Sequence, residues 1–300
     1  MATSPALNFP TVIARPGSSL YPGLAVSLVL LLLTGAVFIA LITTGLQQEG
    51  DLSFHGIDRL LVFTTAQATV STALSLLLGA LLAWSLNHRR DFMGRRVLLA
   101  LLSVSMVLPT IVTALGLISV LGRNGWINQI FHLISGQGSG FSIYGIAGIL
   151  IAHTWLNGPF VARGLLHRLE AVPVERLKLA ASLGLSPWQR FKIVEGPVLI
   201  TALPGLAITV FLLCFTSFSI VLILGGSPNF NTLEVAIFEA VKLEFDLTRA
   251  AVLAMVQLAV CGCLVMIAAS LRQQSSAISP PAFFRMWPDP AVTRTLQTAV

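Results

Sequence analysis

The apolar residues of this sequence are gathered into long runs without charge, and these runs constrain the fold more than any other feature. The stretch Leu28–Leu33 consists of nothing but apolar side chains. Apolar residues make up 55% of the chain and charged residues only 10%, whereas a soluble domain carries about 25% charged residues. So little polar surface argues against a soluble enzyme, a disordered protein and a disulfide scaffold, and it predicts an integral membrane protein.

Six of the apolar stretches reach or approach the roughly 20 residues that cross a hydrocarbon core as a helix. Helices are favoured because every backbone polar group must be satisfied without water, and unbroken runs do not fit the alternating pattern of a β-barrel. The sequence therefore predicts an all-α polytopic membrane protein with six transmembrane helices. The predicted spans are Tyr21–Leu46, Leu60–Leu86, Val97–Leu121, Ile143–Val161, Pro197–Leu224 and Thr248–Leu271.

The distribution of Lys and Arg predicts the orientation of these spans. The chain has 18 such residues and a net charge of +6, and most of them fall in the two tails and in the loops after the second and fourth spans. Because basic loops remain in the cytoplasm, we expect both termini there and attribute the charge to topology rather than to a nucleic-acid partner. The predicted domains are a tail at residues 1–20, a six-helix domain at 21–272 and a linker at 273–300.

Few groups inside the predicted spans could perform chemistry. Apart from weakly acidic thiols, two phenols and Arg249 at the edge of the last span, His153 is the one ionisable side chain that we find there, and no nucleophile–base pair or metal-ligand spacing accompanies it. The cysteines are interpreted as small apolar packing residues. The phosphate-binding pattern G-x-x-x-x-G-K-[ST] is missing, so ATP-driven work would need another subunit. We expect no catalytic residue, no metal and no cofactor.

The second predicted span carries a seam of small and polar residues. Gln67, Ser71, Ser75, Gly79 and Ala83 follow one another at intervals of four and therefore share one face of a helix. Small residues allow helices to approach closely in lipid, so the seam predicts helix packing, with a role in lining a transport path as the alternative.

Other polar residues in the spans also have two interpretations. His153 is expected to bond to a neighbouring helix, and Asn157, one turn further on, is either its partner or a pathway-lining residue. The fifth span contains Thr216, Ser217 and Ser219. Their hydroxyls either bond back to the preceding turn or face a cavity.

The segment between the fourth and fifth spans, Arg163–Pro197, is the most informative part of the chain. Pro173 can open a first short helix, and Gly184 ends it. Ser186–Gln189 is typical of a capping box that begins a second short helix, after which a membrane helix is expected to start near Pro197. The segment predicts a compact protrusion on which another protein could dock; the alternative is a basic surface loop.

This segment resembles the coupling loop of permeases from ATP-binding-cassette importers. Those permeases carry the pattern E-A-A, three residues, G, nine residues, I, one residue, L-P. Ala180, Gly184 and Pro197 match the pattern, whereas Lys178 and Leu179 replace its first Glu and Ala. The resemblance implies that the loop docks on a separate ATPase subunit. The docking residues implied are Lys178, Leu179, Ala180, Ala181, Gly184, Leu185, Ser186, Pro187, Val194 and Pro197.

The resemblance extends over about residues 55–272 and is strongest to thiamine permeases, through stretches such as LPTIVTALGLISVLGRNGWIN from Leu108 and TLEVAIFEAVKLEFDLTRAAVLAMVQLA from Thr232. Ferric-iron and polyamine permeases share parts of it. It implies a permease in the bacterial inner membrane that forms the translocation path for thiamine or its phosphate ester. The implied partners are an ATPase dimer, a periplasmic binding protein that docks at Gly225–Asp246, and a second permease half or a second copy.

Several alternatives remain at this stage. The polar linker after the last span favours half of a fused permease, and a homodimer of complete six-span chains is the alternative. Glu234 and Glu239 suit a cationic substrate, although acids in solvated loops are common. A membrane scaffold that recruits a cytoplasmic partner would use the same loop, and a membrane-embedded enzyme would need a reactive cluster that the spans do not show.

Overall fold

The computed structural model describes residues 20–47, 56–89, 92–135, 142–226 and 230–276, and within these ranges the chain is helical without strands. The predicted all-α class is confirmed. Most of the predicted tail at 1–20 and of the predicted linker at 273–300 lies outside the described residues. The helices are α1 (Leu20–Gln47), α2 (Ile57–His88), α3 (Arg95–Val104), α4 (Thr110–Leu121), α5 (Trp126–Ser135), α6 (Ile146–Glu170), α7 (Val174–Ser182), α8 (Pro187–Arg190), α9 (Gly196–Phe215), α10 (Ser219–Leu224), α11 (Leu233–Lys242) and α12 (Leu247–Ser276), with a π-helical segment at Phe191–Glu195.

Within the described ranges, 4 helical segments are long and apolar enough to cross a membrane. They are Ile57–His88, Thr110–Ile134, Pro187–Phe215 and Leu247–Ser270. In addition, α1 closely follows the first predicted span, and α6 covers most of the fourth but runs on to Glu170. The predicted count of six spans is compatible with these helices and stays a prediction.

Two predicted spans are not single helices. The third separates into α3 and α4 just before Thr110, because Pro109 has no N–H to donate and its ring disfavours helical geometry at the preceding residue. The fifth separates into α9 and α10 at Thr216–Phe218. The α-helix α9 begins at Gly196, within one residue of the predicted start at Pro197, and a π-helical segment joins it to α8 without a break.

The centre of the fold is the contact between α2 and α6, on which α9 also packs. A Cβ atom at Gly79 of α2 would lie 2.5 Å from the Cβ of Val161 and 2.9 Å from the carbonyl oxygen of Gly158, both on α6. Only glycine permits so close an approach. The seam predicted on α2 is therefore a buried packing face. All of its members are buried, namely Gln67, Ser71, Ser75, Gly79 and Ala83.

The outward faces of several helices are strongly apolar. Every residue of Leu28–Leu33 on α1 is more than half exposed, and so are Val97 and Leu101 on α3 and Leu115 on α4. A soluble protein rarely exposes contiguous apolar surface of this extent. Contact with lipid hydrocarbon removes the free-energy cost of exposing apolar side chains to water. The surface is therefore consistent with the membrane protein that the composition predicts.

Replacing Gly79 by Leu is expected to destabilise the protein, because the new side chain would force α2 away from α6. Overpacking of this kind costs about 1–3 kcal/mol. The melting temperature in detergent measures the effect. Gly205→Leu is the matched control, since a Cβ at Gly205 meets nothing within 4 Å. Equal melting temperatures for the two variants would contradict the close packing.

Candidate functional site

The chain between α6 and α9 turns back on itself through α7 and α8, and we call residues 171–190 the α7–α8 hairpin. Gly184 ends α7 in the left-handed region, with φ of 62°. Its N–H donates to the carbonyl of Ala181 at 3.0 Å, and the N–H of Leu185 donates to the carbonyl of Ala180 at 3.2 Å. These two bonds form a Schellman motif, which confirms the predicted stop at Gly184.

Hydrogen bonds between neighbouring residues also fix the start of α8. The N–H of Gln189 donates to Oγ of Ser186 at 3.3 Å, and the N–H of Ser186 donates to Oε1 of Gln189 at 2.9 Å. Pro187 occupies the first turn, where its missing N–H costs nothing. The predicted capping box is confirmed, so the bend between α7 and α8 is fixed by bonds within the hairpin itself.

The second helix of the hairpin is not a separate unit, contrary to the prediction from sequence. The chain passes from α8 through the π-helical segment into α9, and the N–H of Gly196 donates to the carbonyl of Phe191 in the wide π pattern. A π turn suits this place, because Pro197 has no N–H and its ring would clash with a regular preceding turn. The hairpin is therefore continuous with a helix long enough to span the membrane.

The hairpin exposes large apolar side chains. Leu179, Leu183 and Trp188 are 60%, 67% and 71% exposed. Ala180, by contrast, is buried at 4%. Trp188 was missed, although its place inside a capping box indicates a surface position. Among the other residues implied by the resemblance, Lys178, Ala181, Gly184, Ser186, Pro187 and Pro197 are exposed, whereas Leu185 and Val194 are half-buried.

A second group of polar side chains lies in the interior, between α2 and α6. The Gln67 amide donates from Nε2 to Nδ1 of His153 at 2.8 Å, and Oγ of Ser71 lies 3.1 Å from the same nitrogen. His153 therefore bonds to a neighbouring helix, as predicted. An accepting Nδ1 places the imidazole proton on Nε2. Neither Nε2 of His153 nor Oε1 of Gln67 has a hydrogen-bond partner among the described residues.

This interior cluster continues towards α9. The Asn157 amide donates to Sγ of the buried Cys214 at 3.3 Å. Cys214 thus does more than the apolar packing that we expected. Ser75 takes no part in the bonds between helices, because its hydroxyl donates to the carbonyl of Ser71.

The three polar residues of the fifth predicted span lie at the break between α9 and α10. Thr216 is exposed, and its hydroxyl donates to the carbonyl of Leu212 at 2.9 Å. The predicted bond back to the preceding turn is therefore present for Thr216. Ser217 is buried and Ser219 half-buried.

The carboxylates of the acidic residues near α11 accept hydrogen bonds from side-chain amides. Oε1 of Glu234 accepts from Gln257, and Oε2 of Glu239 accepts from Asn231 at 2.6 Å. Both carboxylates are half-buried and so differ from ordinary solvated loop acids. Within the described ranges, no group of three His, Cys, Asp or Glu residues could hold a metal ion.

Comparison with known proteins identifies relatives over most of the chain. The family described as "Binding-protein-dependent transport system inner membrane component" matches residues 75–274. The thiamine transport system permease protein ThiP of Salmonella typhimurium is 42% identical over 229 residues, which are 76% of this chain and 42% of that protein. The Haemophilus influenzae protein of the same name is 43% identical over 68% of this chain and 38% of its own length. The chain thus spans less than half the length of these relatives.

Solved structures support the same fold. A bacterial ABC transporter involved in the import of the acidic polysaccharide alginate matches with a TM-score of 0.67 and 13% identity, over 87% of this chain and 96% of that chain. An inward-facing MetNI methionine ABC transporter matches with a TM-score of 0.56 and 15% identity, over 72% and 94%. At such low identity these likenesses show the arrangement of helices and nothing finer.

Replacing His153 by Ala is expected to lower the stability of the protein. The change leaves Gln67 and Ser71 without their interhelical partner, and unsatisfied buried groups cost about 1–3 kcal/mol. Thermal unfolding in detergent provides the measurement, with His167→Ala as the control, because His167 lies on the same helix but is exposed. A His153→Ala variant as stable as the control would show that the bond contributes nothing.

Proposed function

Because the chain belongs to the family of binding-protein-dependent transport system inner membrane components, we propose that it is a permease subunit of an ATP-driven importer, with thiamine or its phosphate ester as substrate. Family membership makes the chain a multi-pass membrane component of a transport system rather than an enzyme. The observation that carries the proposal is the continuity of the exposed, locally fixed α7–α8 hairpin with a helix that can span the membrane.

The α7–α8 hairpin is the proposed docking site for a cytoplasmic ATPase dimer. Its Schellman motif and capping box keep the bend rigid, and a rigid element is needed to transmit a push. Its exposed apolar residues provide the desolvated contact that protein interfaces use. The proposed contact residues are Lys178, Leu179, Ala181, Gly184, Ser186, Pro187, Trp188 and Pro197, supported from within by Ala180, Leu185 and Val194.

Docking at this hairpin also requires an orientation. Ten of the 18 Lys and Arg residues lie in the segments 89–96 and 163–192, around the start of α3 and between the end of α6 and α9, and basic loops stay in the cytoplasm. We therefore place the hairpin and both termini on the cytoplasmic side of the inner membrane. Binding of a cytoplasmic ATPase at Gly184 tests this orientation directly.

We propose that the interior cluster between α2, α6 and α9 forms part of the translocation path. It lies where α2, α6 and α9 meet, and it holds buried polar atoms that lack a protein partner, which a passing polar substrate could engage. A second permease half, or another copy of this chain, would complete the path. The proposed lining residues are Gln67, Ser71, Ser75, His153, Asn157, Thr216, Ser217 and Ser219.

Thiamine is favoured by the names of relatives such as the Salmonella typhimurium and Haemophilus influenzae proteins, which are thiamine transport system permeases. Thiamine is a cation, and Glu234 and Glu239 place half-buried negative charge around α11. We propose that a periplasmic binding protein delivers the substrate to residues 225–246, of which 227–229 lie outside the described part of the chain.

The substrate and the transport role can be tested together in proteoliposomes that contain the assembled importer. Thiamine-loaded binding protein is expected to stimulate ATP hydrolysis and the uptake of labelled thiamine, because substrate delivery closes the ATPase dimer through the permease. Binding proteins loaded with ferric iron or with a polyamine are the controls. Stimulation by one of those instead would overturn thiamine, and hydrolysis that never leads to uptake would favour the scaffold.

Replacing Gly184 by Trp is expected to prevent docking of the ATPase. A side chain at Gly184 meets nothing within 4 Å, so the indole would project into the space that the ATPase must occupy. Co-purification of the ATPase with the permease measures docking, and membrane insertion should be unchanged.

The matched control is Gly184→Ala. It introduces the same left-handed strain, about 1–2 kcal/mol, but almost no bulk. Loss of docking in both variants would attribute the effect to strain, and normal docking with Gly184→Trp would remove the hairpin from the interface.

A further inference from the structure

A carboxylate is buried where the α7–α8 hairpin joins the spanning helix. Glu195, in the π-helical segment, is only 2% exposed. Its Oε1 lies 3.2 Å from a guanidinium nitrogen of Arg190, and neither carboxylate oxygen has another hydrogen-bond partner among the described residues. A buried charge is expensive unless it is paired, so the position of Arg190 beside Glu195 is energetically important.

Arg190 also contacts the end of α2. One of its guanidinium nitrogens lies 3.0 Å from Nε2 of His88, and Nδ1 of His88 lies 3.0 Å from the carbonyl oxygen of Trp84. The carbonyl can only accept, so Nδ1 carries the proton and donates to it, and Nε2 accepts from Arg190. Nε2 of His88 also lies 3.7 Å from Oε1 of Glu195.

Ring contacts strengthen the same junction. The ring of Trp84 lies 4.7 Å from that of His88 and meets Phe191 edge to face at 6.4 Å between centroids. Phe191 in turn stacks on Trp188 of the hairpin at 5.6 Å. Aromatic pairs of these geometries stabilise contacts beyond the area that they bury. The hairpin is therefore joined to α2 in two ways. One is the chain of polar contacts from Glu195 through Arg190 to His88, which we call the relay. The other is the set of ring contacts that links Trp84, Phe191 and Trp188.

We propose that the relay from Glu195 through Arg190 to His88 is a mechanical joint, which makes α2 move with the hairpin when the ATPase acts on it. This inference rests on the proposed function and deepens it. Because α2 also carries Gln67 and Ser71 of the interior cluster, a push on the hairpin reaches that cluster along α2 as well as along α9. Glu195, Arg190 and His88 are positioning residues, since none of them is proposed to touch substrate.

The variant Glu195→Gln keeps the shape of the side chain and removes the charge that holds Arg190. In proteoliposomes with the ATPase subunit and thiamine-loaded binding protein, we expect ATP hydrolysis to continue. Uptake per ATP hydrolysed should fall about tenfold, the size of effect typical of lost coupling between distant sites. The ATPase should still co-purify, because the outer surface of the hairpin is unchanged.

Two further variants sharpen the test. His88→Ala cuts the relay at its other end, where the side chain is partly exposed, so it carries less risk of misfolding; the same fall in uptake per ATP is expected. Glu170→Gln is the control, because it breaks the exposed ion pair with Arg95 outside the hairpin, and uptake per ATP should stay within about twofold of the original value.

Hydrogen–deuterium exchange tests the joint without any substrate. Backbone amides of residues 186–195 in the purified chain should exchange faster in Glu195→Gln and His88→Ala than in Glu170→Gln. Unchanged exchange, or a lower melting temperature with normal uptake per ATP, would overturn the joint. If the unmodified importer takes up no thiamine while exchange responds as expected, thiamine fails as the substrate, whereas the attachment of the hairpin to α2 is supported.

Discussion

The close contact between α2 and α6 is the constraint on which the rest of the structure depends. In lipid the hydrophobic effect does not drive helices together, so association relies on packing and on hydrogen bonds between helices. Gly79 allows the backbones to meet at Gly158 and Val161. That approach in turn brings Gln67 within bonding distance of His153. The interior polar cluster is therefore a consequence of how closely these helices pack.

The same pair of helices gives the α7–α8 hairpin its importance. α6 leads into the hairpin, the π-helical segment leads out of it into α9, and the Arg190 contacts join it to the end of α2. All three helices that surround the interior cluster are thus connected to one rigid surface element. This arrangement suits a protein that converts a push at its surface into a rearrangement of its core, which is the action proposed for a permease driven by a separate ATPase.

Much of the proposed docking site could be predicted from sequence, because the hydrogen bonds that shape it join residues close together in the chain. A Schellman motif and a capping box involve residues within five positions of one another, so Gly184 and Ser186 were identified without knowledge of the fold. The burial of Ala180 and the contacts of Arg190 with Glu195 and His88 could not be predicted. Both depend on which elements pack behind the hairpin, and Glu195 and His88 are far from each other in sequence.

The sequence by itself determined the all-α class, the positions of most long helices and the buried face of α2, because apolar runs and fourfold spacing specify these locally. The tertiary structure alone decided where helices break, which bond His153 makes and how α8 merges into α9. Those features arise from proline sterics and from contacts between distant segments. Periodicity describes one helix at a time, and it contains no information about the neighbour that the helix will meet.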